Sequence, residues 1–163
     1  MRFQLIDQVV DWQAGQELHA VKNLTLAEEY LADHFPGFPV MPGVLMLETL
    51  VQAASWLVRL TEDFRPTVVT LREVKGAKYG TFMEPGQQMT VKVEVQGTYD
   101  PAAATVALRG VGEKGGQQTV NARFVVAKRR LADSNPALAP VDEQLALRYR
   151  QQFVLLQPGR RAG

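Results

Sequence analysis

"HFPGFPVMPGVLMLETLVQAASWLVRL", residues 34–60, is the stretch on which the architecture turns. Pro36, Pro39 and Pro42 forbid a regular helix through its first part and hold the backbone extended or turned. Pro42-Gly43 then marks a helix start, since proline is favoured in a first turn, where a missing N–H costs nothing. From Val44 to Leu60 apolar residues surround most of the circumference, the pattern of a helix buried on nearly all sides. The polar exceptions Glu48, Gln52, Ser55 and Arg59 fall at spacings of four, three and four, so they form one stripe along a single face. Taken alone, such a stripe reads as the solvent side of a core helix.

Working outward, both flanks read as strands. "FQLIDQVVDW" and "ELHAVKNLTL" are separated by "QAG", and "AEEYLADHF" makes a short helical turn before the prolines. After Leu60, "TVVTLREVKGAKYGTFM", "QQMTVKVEVQGTY", "ATVALRGVG" and "QQTVNARFVVAKR" each alternate as strands do. "EPG", "YDPA" and "EKGG" supply the turns. One strong helix among consecutive short-turned strands predicts an α+β architecture, an antiparallel sheet with a helix packed on one face. Residues 1–130 form this domain. Residues 131–163 are an extension: "LADSNPALAP" reads as a linker, "VDEQLALRYRQQFVLLQ" as a short amphipathic helix, and "PGRRAG" as a frayed end.

Composition narrows the chemistry. A net charge of +1 leaves no basic excess for a nucleic-acid partner. The absence of cysteine removes disulfides, thiolate catalysis and cysteine-ligated zinc, and fits a reducing compartment. "MRFQLIDQVV" does not read as a signal peptide, and the apolar stretch 44–60 is interrupted and short for a bilayer. A cytoplasmic protein with no membrane partner is the expectation. Only Ser55 and Ser134 are serines, neither in a nucleophile-elbow sequence. His19 and His34 form no metal-ligand motif, so no metal is expected. "GVGEKG", Gly110 to Gly115, matches a dinucleotide fingerprint in letters only. It leads into a strand instead of a helix and reads as a hairpin loop.

What remains is His34 on a rigid loop, the amide groups of a helix start at Gly43, and a carboxyl group one turn further on. Free N–H groups and the helix dipole suit a carbonyl oxygen that must take on negative charge. An imidazole has suitable basicity at neutral pH. These parts match removal of a proton beside a thioester carbonyl with loss of a β-hydroxyl. Hydroxide is a poor leaving group, so a carboxylic acid must protonate it or position a water that does. Read singly, His34 is equally a structural hydrogen-bonder, and His19, within a strand, is read as one.

"HFPGFPVMPGVLMLE" resembles the signature of the β-hydroxyacyl-acyl carrier protein dehydratases, the FabZ-like branch of the hot-dog fold superfamily. In that family a histidine opens an H-F-P-G-x-P-V-M-P-G-V-L segment and the acid follows fourteen residues later, as Glu48 follows His34. Glutamate at the acid position favours the FabZ-like branch over the aspartate-bearing dehydratase/isomerases. The resemblance is dense from Tyr30 to Ala54 and looser from Phe3 to Ala127. It implies a sheet wrapped around one long central helix. It also implies that His34 is the base at the α-carbon, that Glu48 assists departure of the β-hydroxyl, that the Gly43 N–H binds the thioester oxygen, and that Gln52 orients Glu48. Phe35 and Phe38 would line the substrate tunnel or its mouth. The implied substrate is a thioester of acyl carrier protein or coenzyme A, with no cofactor. The implied assembly is a homodimer joined edge to edge, with His34 and Glu48 meeting from different subunits, and in some members a hexamer.

The departures are specific. Asp33 stands where the family usually has glycine, and Thr49, Leu50 and Val51 replace small and Met-rich residues. "VKGAKYGTFMEPG" is less basic than its counterpart. The extension after Arg130 has no equivalent in short members. Two other readings share the fold: an acyl thioesterase, against which the histidine and proline loop argue, and a non-catalytic acyl-binding subunit, against which the retained His34 and Glu48 argue.

Overall fold

The computed structural model describes residues 3–157. It opens with the hairpin β1 (Gln8–Gln13) and β2 (Glu17–Asn23). A 3-10 turn (Glu29–Ala32) and the proline loop lead to helix α1 (Gly43–Thr61). Four strands follow: β3 (Val68–Tyr79), β4 (Gln88–Val95), β5 (Thr105–Lys114) and β6 (Gln117–Arg129). Helix α2 (Ala139–Leu156) comes last. All six strands join one antiparallel sheet in the order β1-β2-β4-β5-β6-β3. The sheet curls around α1, which touches every strand. This is the hot-dog arrangement, and the α+β expectation holds.

The strand pleat explains how the helix is held. Alternate residues of a strand share a face, and Met89, Val91 and Val93 of β4 and Ala122, Phe124 and Val126 of β6 turn inward and are buried. Leu50, Leu57 and Val58 of α1 meet them, each fully buried. On β5 the inward position opposite Leu50 is Gly110. A Cβ there would stand 2.9 Å from Leu50 Cδ1, so glycine is what lets the helix lie close to the sheet.

Several sequence expectations change in detail. α1 runs to 19 residues, and by length and composition alone it would suit a membrane crossing. Its apolarity is instead accounted for by burial inside the sheet. β3 stops at Tyr79 and not at Met83; just beyond it Gly80 presses against the β6 backbone, where a Cβ would lie 2.1 Å from the Gln118 carbonyl oxygen. In "GVGEKG" the first five residues belong to β5, and the turn itself is Gly115-Gly116, both at positive φ.

The extension carries the expected helix, begun two residues earlier than "VDEQLALRYRQQFVLLQ". α2 has 18 residues and starts inside the expected linker. Asp142, in its first turn, is almost fully buried and accepts hydrogen bonds from Thr67 Oγ1 and from the Leu131 and Ala132 N–H groups at 3.0 and 2.8 Å. Burial alone would raise its pKa. The hydrogen bonds from Thr67, Ala132 and Leu131, with Arg130 nearby, outweigh that and hold it below the usual carboxylate value. Near the other end of α2, Phe153 and Leu156 are buried, and Phe153 packs on Trp56 of α1 with ring centroids 6.0 Å apart. "PGRRAG" lies outside the described residues.

Candidate active site

The proline loop is a clasp around His34. Phe35-Pro36-Gly37-Phe38 closes a tight turn, with the Phe38 N–H donating to the Phe35 carbonyl at 2.9 Å and Gly37 at φ +87°. Proline followed by a positive-φ glycine is what a type II turn demands. Beyond it, the Val40 N–H donates to the His34 carbonyl at 3.2 Å, and His34 Nδ1 lies 3.0 Å from the Val40 carbonyl oxygen. A carbonyl only accepts, so Nδ1 carries the hydrogen and Nε2 keeps a free lone pair. The Val40 carbonyl thus selects the tautomer in which His34 can act as a base.

Met41 N–H donates to the Met83 carbonyl at 2.8 Å, tying the end of the loop to the segment before β4. α1 begins immediately after. Pro42 is its N-cap and no side chain caps the turn. The N–H groups of Gly43 and Val44 precede Leu45, the first N–H to donate within the turn, to the Pro42 carbonyl at 2.9 Å, and they sit at the positive end of the helix dipole. The Tyr79 ring lies against Gly43, and a Cβ on Gly43 would be 3.1 Å from two ring carbons. Glycine therefore allows Tyr79 to cover the helix start.

Glu48 is half-buried, one turn in. Gln52 Nε2 donates to Glu48 Oε1 at 3.0 Å. The Leu5 N–H donates to Gln52 Oε1 at 2.9 Å, and Nε2 also reaches the Phe3 carbonyl at 3.4 Å. The segment before β1 therefore orients the amide so that its NH2 faces the carboxyl group. Glu48 and Gln52 open onto a cavity of about 590 Å³ between α1, the start of β3 and α2.

The polar stripe is not a solvent face. Ser55 and Arg59 are buried, because α2 lies over the distal half of α1. Ser55 Oγ satisfies itself on the Val51 carbonyl at 2.9 Å. The Arg59 guanidinium stacks on the Tyr149 ring, 4.0 Å from its centroid, and burial pushes its pKa down. The sequence carried a signal for this cover in Tyr149 and Phe153, aromatic residues four apart in the extension.

Within one chain the candidate residues fall into two groups. Glu48 and Gln52 share the cavity, but His34 does not line it, nor do Phe35 and Phe38. Those two phenylalanines are half-exposed, and Phe38 meets Phe82 edge to face at 6.0 Å. His19 lies on β2, 3.2 Å from Glu17, away from the cavity.

The sequence profile of the FabA-like domain matches residues 1–123. The chain belongs to the FabA-like family. One FabA-like relative, the 3-hydroxyacyl-[acyl-carrier-protein] dehydratase FabZ of Janthinobacterium sp. (strain Marseille), is 36% identical over 136 residues. These span 82% of this chain and 85% of the relative. Another FabZ, from Levilactobacillus brevis, is 37% identical over 109 residues, 67% of this chain and 74% of that one. Among solved structures, a Streptococcus mutans UA159 protein bound to acetyl CoA superposes with a TM-score of 0.59 at 12% identity. It covers 79% of this FabA-like chain and 92% of its own, a likeness of fold.

Proposed function

We propose that the protein is a (3R)-hydroxyacyl-[acyl carrier protein] dehydratase of fatty-acid synthesis, removing water reversibly to give a trans-2-enoyl thioester. The observation that carries this reading is the His34 tautomer set by the Val40 carbonyl, found in a member of a dehydratase family. The thioester oxygen lies at the Gly43 N–H, where the helix dipole stabilises the charge that develops. His34 Nε2 takes the α-proton. Glu48, held by Gln52, delivers a proton to the departing β-hydroxyl, directly or through a water, so that water leaves and the enoyl double bond remains. The same proton positions serve hydration in reverse.

Two copies complete the site. β3 is an edge strand of 12 residues with Leu71, Val74 and Tyr79 exposed, and an exposed edge of that length invites pairing with a second chain. Joining two sheets there makes a homodimer in which His34 of one subunit approaches Glu48 of the other. The hexamer of some members is a further step of the same kind. We place the protein in the cytoplasm, with acyl carrier protein as the carrier and coenzyme A thioesters as the alternative.

The test follows the conjugated enoyl absorbance during incubation with crotonyl and 3-hydroxybutyryl thioesters. The expected result is conversion by wild type and loss of it in His34→Ala and Glu48→Gln. No conversion by wild type overturns the reading, and release of free thiol without hydration marks a thioesterase. Mixing the two inactive variants under subunit exchange should restore about a quarter of the sites, since each mixed dimer carries one intact pair. No recovery would place both residues in one subunit.

A further inference from the structure

The cavity that begins at Glu48 ends at a cation. Arg59 stands eleven residues beyond Glu48 on the same helix face, about 16 Å along the axis at 1.5 Å per residue. It is 8% exposed, and no carboxylate among the described residues pairs with it. Its Nε is enclosed without an acceptor. Arg148 of α2 also lines the cavity, and Glu48 is the only acidic residue among the described lining residues. A guanidinium removed from water and left without an anion is costly, and stacking on Tyr149 recovers only part of that cost. The wall leading to it is polar at Gln52 and Ser55, unlike a channel shaped for a plain alkyl chain.

We propose that this distal end is a substrate subsite for acyl chains that carry a terminal carboxylate, with Arg59 as the residue that pairs with it. The acyl thioester part of the ligand rests on the dehydratase reading; the anion at its far end rests on Arg59. A carboxylate supplies the charge partner that Arg59 lacks among the described residues, and a guanidinium presents its donors in a fork that matches two carboxylate oxygens. A methyl-ended chain of the same length leaves Arg59 buried and unpaired. Tyr149 and Trp56 flank the guanidinium and restrict its rotation, so the subsite is formed before the ligand arrives.

The experiment compares two 3-hydroxyacyl pantetheine thioesters of equal chain length, long enough to reach Arg59 from Glu48, one ending in methyl and one in carboxylate. Binding is measured by calorimetry and turnover by enoyl absorbance. Wild type should bind the carboxylate-ended ligand at least about tenfold more tightly, a preference that weakens with added salt. Arg59→Met should abolish the preference while retaining the methyl-ended ligand, and Arg59→Lys should keep part of it. Equal binding of the two ligands by wild type overturns the proposal without recourse to any variant. So does an Arg59→Met protein that is folded by circular dichroism and keeps the preference. The short 3-hydroxybutyryl thioester, which does not extend to Arg59, reports on the chemistry separately. If it is not dehydrated while the carboxylate preference persists, the dehydratase reading falls and the subsite stands.

Discussion

Removing the Gln52 side chain should damage two things at once, and they can be measured apart. In Gln52→Ala the Leu5 N–H loses its acceptor at 2.9 Å, and Leu5 is 1% exposed, so water does not readily replace the bond. Stranding a buried backbone donor costs about 1–3 kcal/mol. With a urea dependence of about 2 kcal/mol per molar, the unfolding midpoint should fall by about 1 M. Glu48 simultaneously loses the amide that holds its Oε1 at 3.0 Å. An acid displaced by about 1 Å can lower turnover by up to about a hundredfold. Glu48→Gln is the companion variant. Its new side-chain carbonyl still accepts from Gln52 Nε2, and the Leu5 bond is untouched, so its stability should stay within about 0.5 kcal/mol of wild type while activity disappears. Urea unfolding followed by circular dichroism gives the first quantity, and enoyl absorbance under fully folded conditions gives the second. An unchanged midpoint in Gln52→Ala would refute the structural role. A lowered midpoint with full activity per folded molecule would refute the positioning role.

Other perturbations have equally definite outcomes. Asp142 has a folded pKa below its unfolded one, so its contribution is present above the ordinary carboxylate value of 3.8 and is lost as pH falls below it. Wild type should therefore lose stability in that acid range, while Asp142→Asn, weaker by about 1–3 kcal/mol at neutral pH, should not show that loss; thermal melts against pH decide this. Deleting the chain from Ala139 onward removes buried Phe153 and Leu156, each worth about 1.5–3 kcal/mol, and uncovers Trp56. The shortened protein should melt lower and show a red-shifted tryptophan emission, and an unchanged spectrum would contradict the docking of α2. Gly110→Val should cost about 1–3 kcal/mol by overpacking Leu50, and a second change, Leu50→Ala, should relieve part of that strain. A Gly110→Val protein with wild-type unfolding would contradict the close approach of helix and sheet.

What was legible beforehand follows from how locally each feature is encoded. Helix α1 and its entry could be read because proline and glycine restrict the backbone at their own positions. The strands could be read because alternation is a property of neighbouring residues. His34 and Glu48 stood out through a dense motif within one short segment. The surroundings of these residues were not legible, because they come from distant chain. Leu5 meets Gln52 across 47 positions and Thr67 meets Asp142 across 75. The stripe through Ser55 and Arg59 misled for the same reason. A face with polar residues looks solvated until a second helix, beginning at Ala139, is known to lie on it.

That cover has an evolutionary consequence. The residues that would perform the chemistry lie between His34 and Gln52, whereas part of the wall of the distal cavity is supplied by α2, encoded about 90 positions further on. Substitutions in α2 can reshape the far end of the cavity while leaving the clasp around His34 and the Glu48–Gln52 pair as they are. On the proposed subsite, recognition and reaction would be inherited on separate stretches of one gene, free to vary at different rates, and exchange of the terminal segment between relatives would become a route to new substrates for an old chemistry.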